Sequence, residues 1–181
     1  WSFLLAGFLL TFTSSFGQTY FISLFAGEIK TSFGLTDGGW GAIYTIATTL
    51  SAVTMIWAGV LTDRFRVRQL SLAVMILLAL ACISIALVPN GILLIGVIYA
   101  LRLMGQGMMS QLGAVSMSRW FVAARGRAIS LASMGFAAGQ ALLPIVFVAL
   151  LVSYDWRILW VLAAVCVVAV IPAMQFLLRQ E

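Results

Sequence analysis

The chain has 181 residues, of which 64% are hydrophobic and only 8% are charged, and its net charge is +5. Soluble globular domains carry about 25% charged residues, so this composition argues against an ordinary soluble domain. The positive charge could indicate a nucleic-acid partner, but the basic residues lie mainly in short gaps between apolar stretches, which is typical of membrane topology. We therefore expect an integral membrane protein with no nucleic-acid partner.

Six apolar stretches are each long enough to cross a bilayer as a helix. A bilayer core of about 30 Å needs about 20 helical residues, because every backbone amide within it must be bonded internally. We predict an all-α polytopic membrane protein whose six helices form a single bundle over residues 1–181. The predicted spans are Trp1–Ala26, Gly38–Leu61, Gln69–Val88, Gly91–Met117, Ala128–Ser153 and Ile158–Leu178.

Arginines concentrate in alternate gaps between the spans. Basic residues near short loops prefer the cytoplasmic side, so we expect both ends of the segment to be cytoplasmic. The protein would then lie in a cell membrane, plasma or inner, with the lipid bilayer around it. The arginines of the two richest gaps are Arg64, Arg66, Arg68, Arg119, Arg125 and Arg127.

The first span carries a stripe of polar side chains that includes Ser14 and Gln18, with Tyr20 just beyond. Hydroxyl and amide groups at this spacing suit an aqueous central cavity, where they can bond a substrate. Each could instead bond a neighbouring helix, a contribution of about 0.6 kcal/mol on average. Tyr44 on the second span and Gln140 on the fifth are further candidates for the cavity.

Arg102 is the one charged residue well inside a span. An arginine at that depth costs at least about 2.5–3.5 kcal/mol unless it meets water, a partner or a ligand. Gln106 follows at helical spacing, so the fourth span has a polar stripe. We expect Arg102 to face a cavity. The alternative is an arginine that extends toward the outer face of the membrane or pairs with backbone carbonyls.

The sequence contains no cluster of residues suited to catalysis or to metal binding. There is no histidine, Cys82 and Cys166 lie deep in apolar spans, and none of the five acids lies mid-span. We expect neither an enzyme nor a cofactor. Any group that couples transport to protons would lie outside this segment, or the protein would be an exchanger or a facilitator.

The loop after the second span reads Gly59-Val-Leu-Thr-Asp63-Arg64-Phe-Arg66-Val-Arg68. It resembles the signature Gly-x-Leu-x-Asp-Arg-x-Gly-Arg-Lys/Arg of the major facilitator superfamily, which lies between the second and third helices. The pattern differs at Arg66, where the family usually has glycine. In that family the loop latches the two halves of the carrier in one access state. The resemblance implies this role for Gly59, Asp63, Arg64 and Arg68.

The segment Arg102-Leu-Met-Gly-Gln106-Gly is similar to the core of the fourth-helix motif of the same superfamily, Arg-x-x-Gly-x-Gly. The resemblance implies that the chain is the N-terminal half of a twelve-helix carrier, built from two inverted three-helix repeats. Helices one and four would then line the central site, and a C-terminal six-helix half would complete it. The expected substrate-binding residues are Arg102, Gln18, Gln106, Ser14, Tyr20, Tyr44 and Gln140.

The region from Phe121 through Arg125 to Gly135 and Gly139 is similar to the monocarboxylate porter branch, including its oxalate/formate-exchanger-like relatives. The resemblance implies transport of a small organic anion, a mono- or dicarboxylate, by alternating access, as a symporter or antiporter or by facilitated transport. The alternatives are a carrier for a neutral solute or a lipophilic drug, and a non-transporting membrane sensor on the same fold.

Overall fold

The computed structural model describes residues 1–179, and no strand occurs in that range. The predicted all-α polytopic fold is confirmed. The predicted bundle extends to residue 181, so its last two residues lie outside the described range. The helices are α1 Ser2–Thr13, α2 Thr19–Leu24, α3 Ala26–Phe33, α4 Asp37–Ala58, α5 Leu61–Arg64, α6 Val67–Leu87, α7 Leu93–Leu101, α8 Ser110–Trp120, α9 Arg125–Leu151 and α10 Trp156–Leu177.

Five of the six predicted spans are helices long and apolar enough to cross a membrane. The fourth is composite: a π-helix over Arg102–Met109 joins α7 to α8. A short 3₁₀ turn, Val122–Ala124, precedes α9. The five membrane-length ranges are Asp37–Arg64, Val67–Leu87, Leu93–Trp120, Val122–Leu151 and Trp156–Leu177.

The first predicted span, Trp1–Ala26, is not one continuous helix. A 3₁₀ turn over Ser14–Gly17 follows α1, and Gln18 is extended, with φ −81° and ψ 153°. The Ser14 hydroxyl donates to the Thr11 carbonyl at 2.6 Å, and such side-chain bonds compete with the helical ladder. Hydropathy does not register this competition, so the break could not be read from the apolar pattern.

An aromatic cluster joins α2 and α3 to the later helices. Trp160 of α10 is fully buried, and its ring contacts those of Phe21 and Phe25 at centroid distances of 5.3 and 5.2 Å. Phe147 of α9 closes the cluster at 4.9 Å from Phe21. Such ring pairs contribute about 0.5–1.5 kcal/mol each beyond their buried area, so they fix the segment that follows the break.

The antiparallel helices α6 and α10 are bonded to each other at both ends. At one end the Arg157 guanidinium donates to the carbonyls of Ala86 and Val88, at 2.7 and 3.2 Å, and so caps the end of α6. At the other end Arg68 Nε donates to Gln175 Oε1 at 3.0 Å, and Gln175 Nε2 donates to the Arg68 carbonyl at 3.1 Å. The pair forms a rigid side of the bundle.

The first and fourth spans cross in direct backbone contact at Gly17 and Gly105. A Cβ atom on Gly17 would lie 2.6 Å from the Gly105 Cα and would overlap the Leu101 carbonyl oxygen. A Cβ on Gly105 would lie 2.5 Å from the Gly17 Cα. Only glycine at both positions permits this approach, since small residues let helix backbones come close in a membrane.

Replacing Gly17 by alanine should therefore destabilise the protein. We expect Gly17→Ala to lower stability by about 1–3 kcal/mol through overpacking, and to lower the melting temperature of the purified protein in detergent. Gly96→Ala is the matched control, because a Cβ there meets no atom within 4 Å and alanine favours the helix. A Gly17→Ala protein that melts at or above the control would contradict the crossing.

Candidate functional site

Arg102 is buried inside the bundle, with 7% of its surface exposed. Its Nη1 donates to Thr19 Oγ1 at 2.8 Å, and its Cζ lies 5.7 Å from the centroid of the Tyr44 ring. The Tyr44 hydroxyl donates to the same Thr19 oxygen at 3.0 Å. Neutral groups thus hold the guanidinium, and among residues 1–179 no carboxylate forms an ion pair with it. The positive charge stays uncompensated within this part of the chain.

A cavity of about 200 Å³ lies beside the guanidinium. Thr48 and Ser51 of α4 line it together with Arg102 and Gln106. Arg102 Nε and Thr48 Oγ1 are buried and make no hydrogen bond to any described group. Buried polar atoms are nearly always bonded, so a ligand or water in this cavity could accept from the guanidinium and bond the hydroxyl once the two side chains turn toward it.

A second cavity, of about 400 Å³, lies between the first, fourth and fifth spans. The polar groups that line it are neutral: the amides of Gln18 and Gln106 and the hydroxyls of Thr11, Ser110 and Ser133. Gln18 Nε2 donates to Ser110 Oγ in a long bond of 3.4 Å. Gln106 lines both cavities, so they adjoin at its side chain. We call them the large and the small cavity.

Irregular backbone on two spans places these groups. The extended conformation at Gln18 ends the 3₁₀ turn, which lets the side chain reach toward Ser110. The π-helix Arg102–Met109 contains both Arg102 and Gln106, and such widened turns occur frequently at functional sites. The crossing of Gly17 and Gly105 brings the two irregular segments together.

The structure groups some of the predicted binding residues and separates others. Arg102, Gln106 and Gln18 line the two cavities, whereas Tyr44, Ser14, Tyr20 and Gln140 line neither. Tyr44 joins the site only through the contact of its ring with Arg102. The Ser14 hydroxyl is buried and bonded to the Thr11 carbonyl, and Gln140 is exposed on α9. Tyr20 contacts the Phe136 ring at a centroid distance of 5.8 Å. A binding role for any of these residues stays a prediction.

Thr19 and Ser51 belong to the site but were not identified by the sequence analysis. Thr19 holds Arg102, and its position directly after Gln18 was a usable signal. Ser51 lies three residues after Thr48 and therefore on the same face of α4. This spacing of two hydroxyl residues along an apolar helix was a usable signal for Ser51.

The predicted latch loop forms bonds within this chain. Asp63 pairs with Arg119 of α8 at 2.9 Å, and the Gln111 amide donates to the Gly59 carbonyl at 3.5 Å. Arg68 bonds to Gln175 of α10, and Arg64 is exposed. The loop is thereby attached to the fourth and sixth spans. A latch between two halves of a carrier stays a prediction.

The pair of Asp63 and Arg119 can be tested by exchanging its charges. Because 73% and 36% of the two side chains are exposed, we expect the pair to contribute at most about 1 kcal/mol. Asp63→Arg and Arg119→Asp should each lower the melting temperature slightly, and the double variant should recover it. Arg64→Asp, at an exposed neighbour, is the control for a change of charge alone. A double variant destabilised by the sum of the two single effects would refute the pairing.

Comparison with known proteins gives the family. A search of curated proteins and a search of solved structures give no significant match. The family model described as Major Facilitator Superfamily matches residues 7–181, which is nearly the whole chain. This match agrees with the all-α fold and with the membrane-length helices of the described residues. The chain belongs to the major facilitator superfamily.

Proposed function

We propose that this protein carries small organic anions, mono- or dicarboxylates, across a membrane by alternating access. Membership of a transport family supports the coarse function. One observation carries the choice of substrate: a buried guanidinium whose Nε has no described partner lines a cavity with a hydroxyl that also lacks one. A desolvated cation of this kind favours an anionic ligand, because the anion removes the cost of the unpaired charge.

A carboxylate suits the chemistry of the small cavity. Arginine presents its donors in a planar fork that matches two carboxylate oxygens, and such bidentate pairs are among the strongest hydrogen bonds in proteins. Arg102 would supply Nε and a terminal nitrogen, while Thr48, Ser51 and Gln106 would add neutral bonds. Thr19 of the first span and Tyr44 of the second would hold the guanidinium in place, since both already contact it.

The remaining elements of the proposal concern the whole carrier. Both ends of this segment would be cytoplasmic, residues 1–181 would form one six-helix bundle, and a second six-helix half would complete the binding site and meet the Gly59–Arg68 loop. The monocarboxylate porter branch, with its oxalate/formate-exchanger-like members, is the branch that we propose. Most of α4 and most of α9 are exposed, and this apolar surface supports the proposal that a partner half or lipid covers these two helices.

Neutralising Arg102 tests the anion site. In proteoliposomes of the full-length protein, we expect Arg102→Gln to reduce anion uptake at least about thirtyfold, as for truncation of one partner of a buried charge pair. Arg102→Lys should retain part of it, because the charge remains but the fork is lost. Arg127→Gln removes an exposed arginine of α9 and should transport normally.

Undiminished uptake of every candidate anion by Arg102→Gln would refute the anion site. Uptake of neutral solutes alone would favour a sugar or drug carrier. Binding without flux would favour a membrane sensor on the same fold.

A further inference from the structure

The large cavity is not needed to bind a carboxylate group, because Arg102 lines the small cavity and not the large one. At about 400 Å³ it has room for roughly a dozen water molecules, each occupying about 30 Å³ in the liquid. A carboxylate group would be accommodated in the small cavity beside Arg102. Gln106 lines both cavities, so a ligand that passes over its side chain would extend from one into the other.

The lining of the large cavity indicates what the rest of such a ligand would be. None of its described lining residues is charged, so a second carboxylate there would have no cation among them to pair with. Two amides, from Gln18 and Gln106, and the Ser110 hydroxyl offer both donors and acceptors. Hydroxyl groups, which donate and accept, match these partners better than carboxylates, which only accept.

Apolar groups share the same lining. The Phe136 ring and the side chains of Ile129, Ala114 and Ala132 border the cavity between its polar groups. A carbon chain that bears hydroxyls presents C–H surface and polar groups alternately, as this lining requires. A purely apolar chain would leave the buried Gln18 amide without a partner on the ligand, and an unpaired buried amide is costly.

We infer that the substrate is a polyhydroxylated monocarboxylate, with its carboxylate on Arg102 and its hydroxylated chain in the large cavity against Gln18, Ser110 and Gln106. This inference rests on the proposed function, because it takes the anion site at Arg102 as its starting point. Gln18 and Ser110 then make the site selective for a hydroxylated carbon chain, whereas Arg102 makes it selective for a negative charge.

Four six-carbon probes separate these features: D-gluconate has the carboxylate and the hydroxyls, hexanoate lacks the hydroxyls, adipate has a second carboxylate in their place, and sorbitol lacks the carboxylate. Binding to the purified full-length protein is measured by the ligand-induced shift of its melting temperature over a concentration series. We expect gluconate to bind at least about tenfold more tightly than each of the other three, since a site built for hydroxyls rejects analogues that lack them.

Variants of the large cavity supply the second measurement. Gln18→Met and Ser110→Ala should each weaken gluconate about tenfold and leave the weak binding of hexanoate unchanged, because they remove groups that only the hydroxylated chain bonds. Ser84→Ala is the matched control, since that hydroxyl bonds the Leu80 carbonyl of its own helix at 2.8 Å and lines neither cavity. Melting temperatures without ligand show whether each variant folds.

The outcomes distinguish this inference from the proposed function. If hexanoate or adipate binds as tightly as gluconate and Arg102→Gln abolishes that binding, the inference is overturned and the anion site stands. If sorbitol binds as tightly as gluconate and Arg102→Gln changes neither, the anion site itself is refuted. Failure of all four probes to bind would also overturn the inference, as would full gluconate affinity in folded Gln18→Met and Ser110→Ala proteins.

Discussion

Burial of one positive charge in an apolar bundle is the constraint on which the site depends. Arg102 is buried as a residue, with 7% of its surface exposed, and the described contacts of its guanidinium are a threonine hydroxyl and a tyrosine ring. Neutral contacts orient a cation but do not compensate its charge. The charge therefore needs water or an anion in the small cavity to compensate it, which gives a physical reason for a cavity beside this arginine.

The backbone is irregular where the first and fourth spans cross, and Arg102 lies at this crossing. Gly17 and Gly105 let the spans touch, and the 3₁₀ turn and the π-helix lie at this contact. Backbone that departs from the α-helix at membrane depth is tolerated where it is buried in protein or lines a cavity, and both conditions hold here. The aromatic cluster around Trp160 reaches this crossing, because Phe16 of the 3₁₀ turn contacts Phe21 and Phe147 at centroid distances of 5.2 and 6.4 Å. The α6–α10 pair is bonded at both of its ends.

Much of the fold and part of the site could be predicted from the sequence. Arg102 and Gln106 stand out because burying polar groups inside an apolar helix costs free energy. Length and hydropathy predicted five spans that are helical ranges of membrane length in the structure. The break before Gln18 arises from a local bond of Ser14 and from the glycine contact, which an apolar pattern does not register. The partners Thr19 for Arg102 and Arg119 for Asp63 are 83 and 56 residues distant in sequence, so only the packing of the helices reveals them.

The most direct measurement is of the electrostatic potential beside Arg102. In full-length protein in which Cys82, Cys166 and any cysteine outside residues 1–181 are replaced by alanine, a thiol introduced by Gln106→Cys would line both cavities. We expect an anionic methanethiosulfonate reagent to modify it faster than a cationic one, because a cleft with an unpaired guanidinium concentrates anions. Adding Arg102→Gln should remove this preference. Equal rates for the two reagents, or a preference that survives Arg102→Gln, would contradict a water-accessible anion site at this arginine.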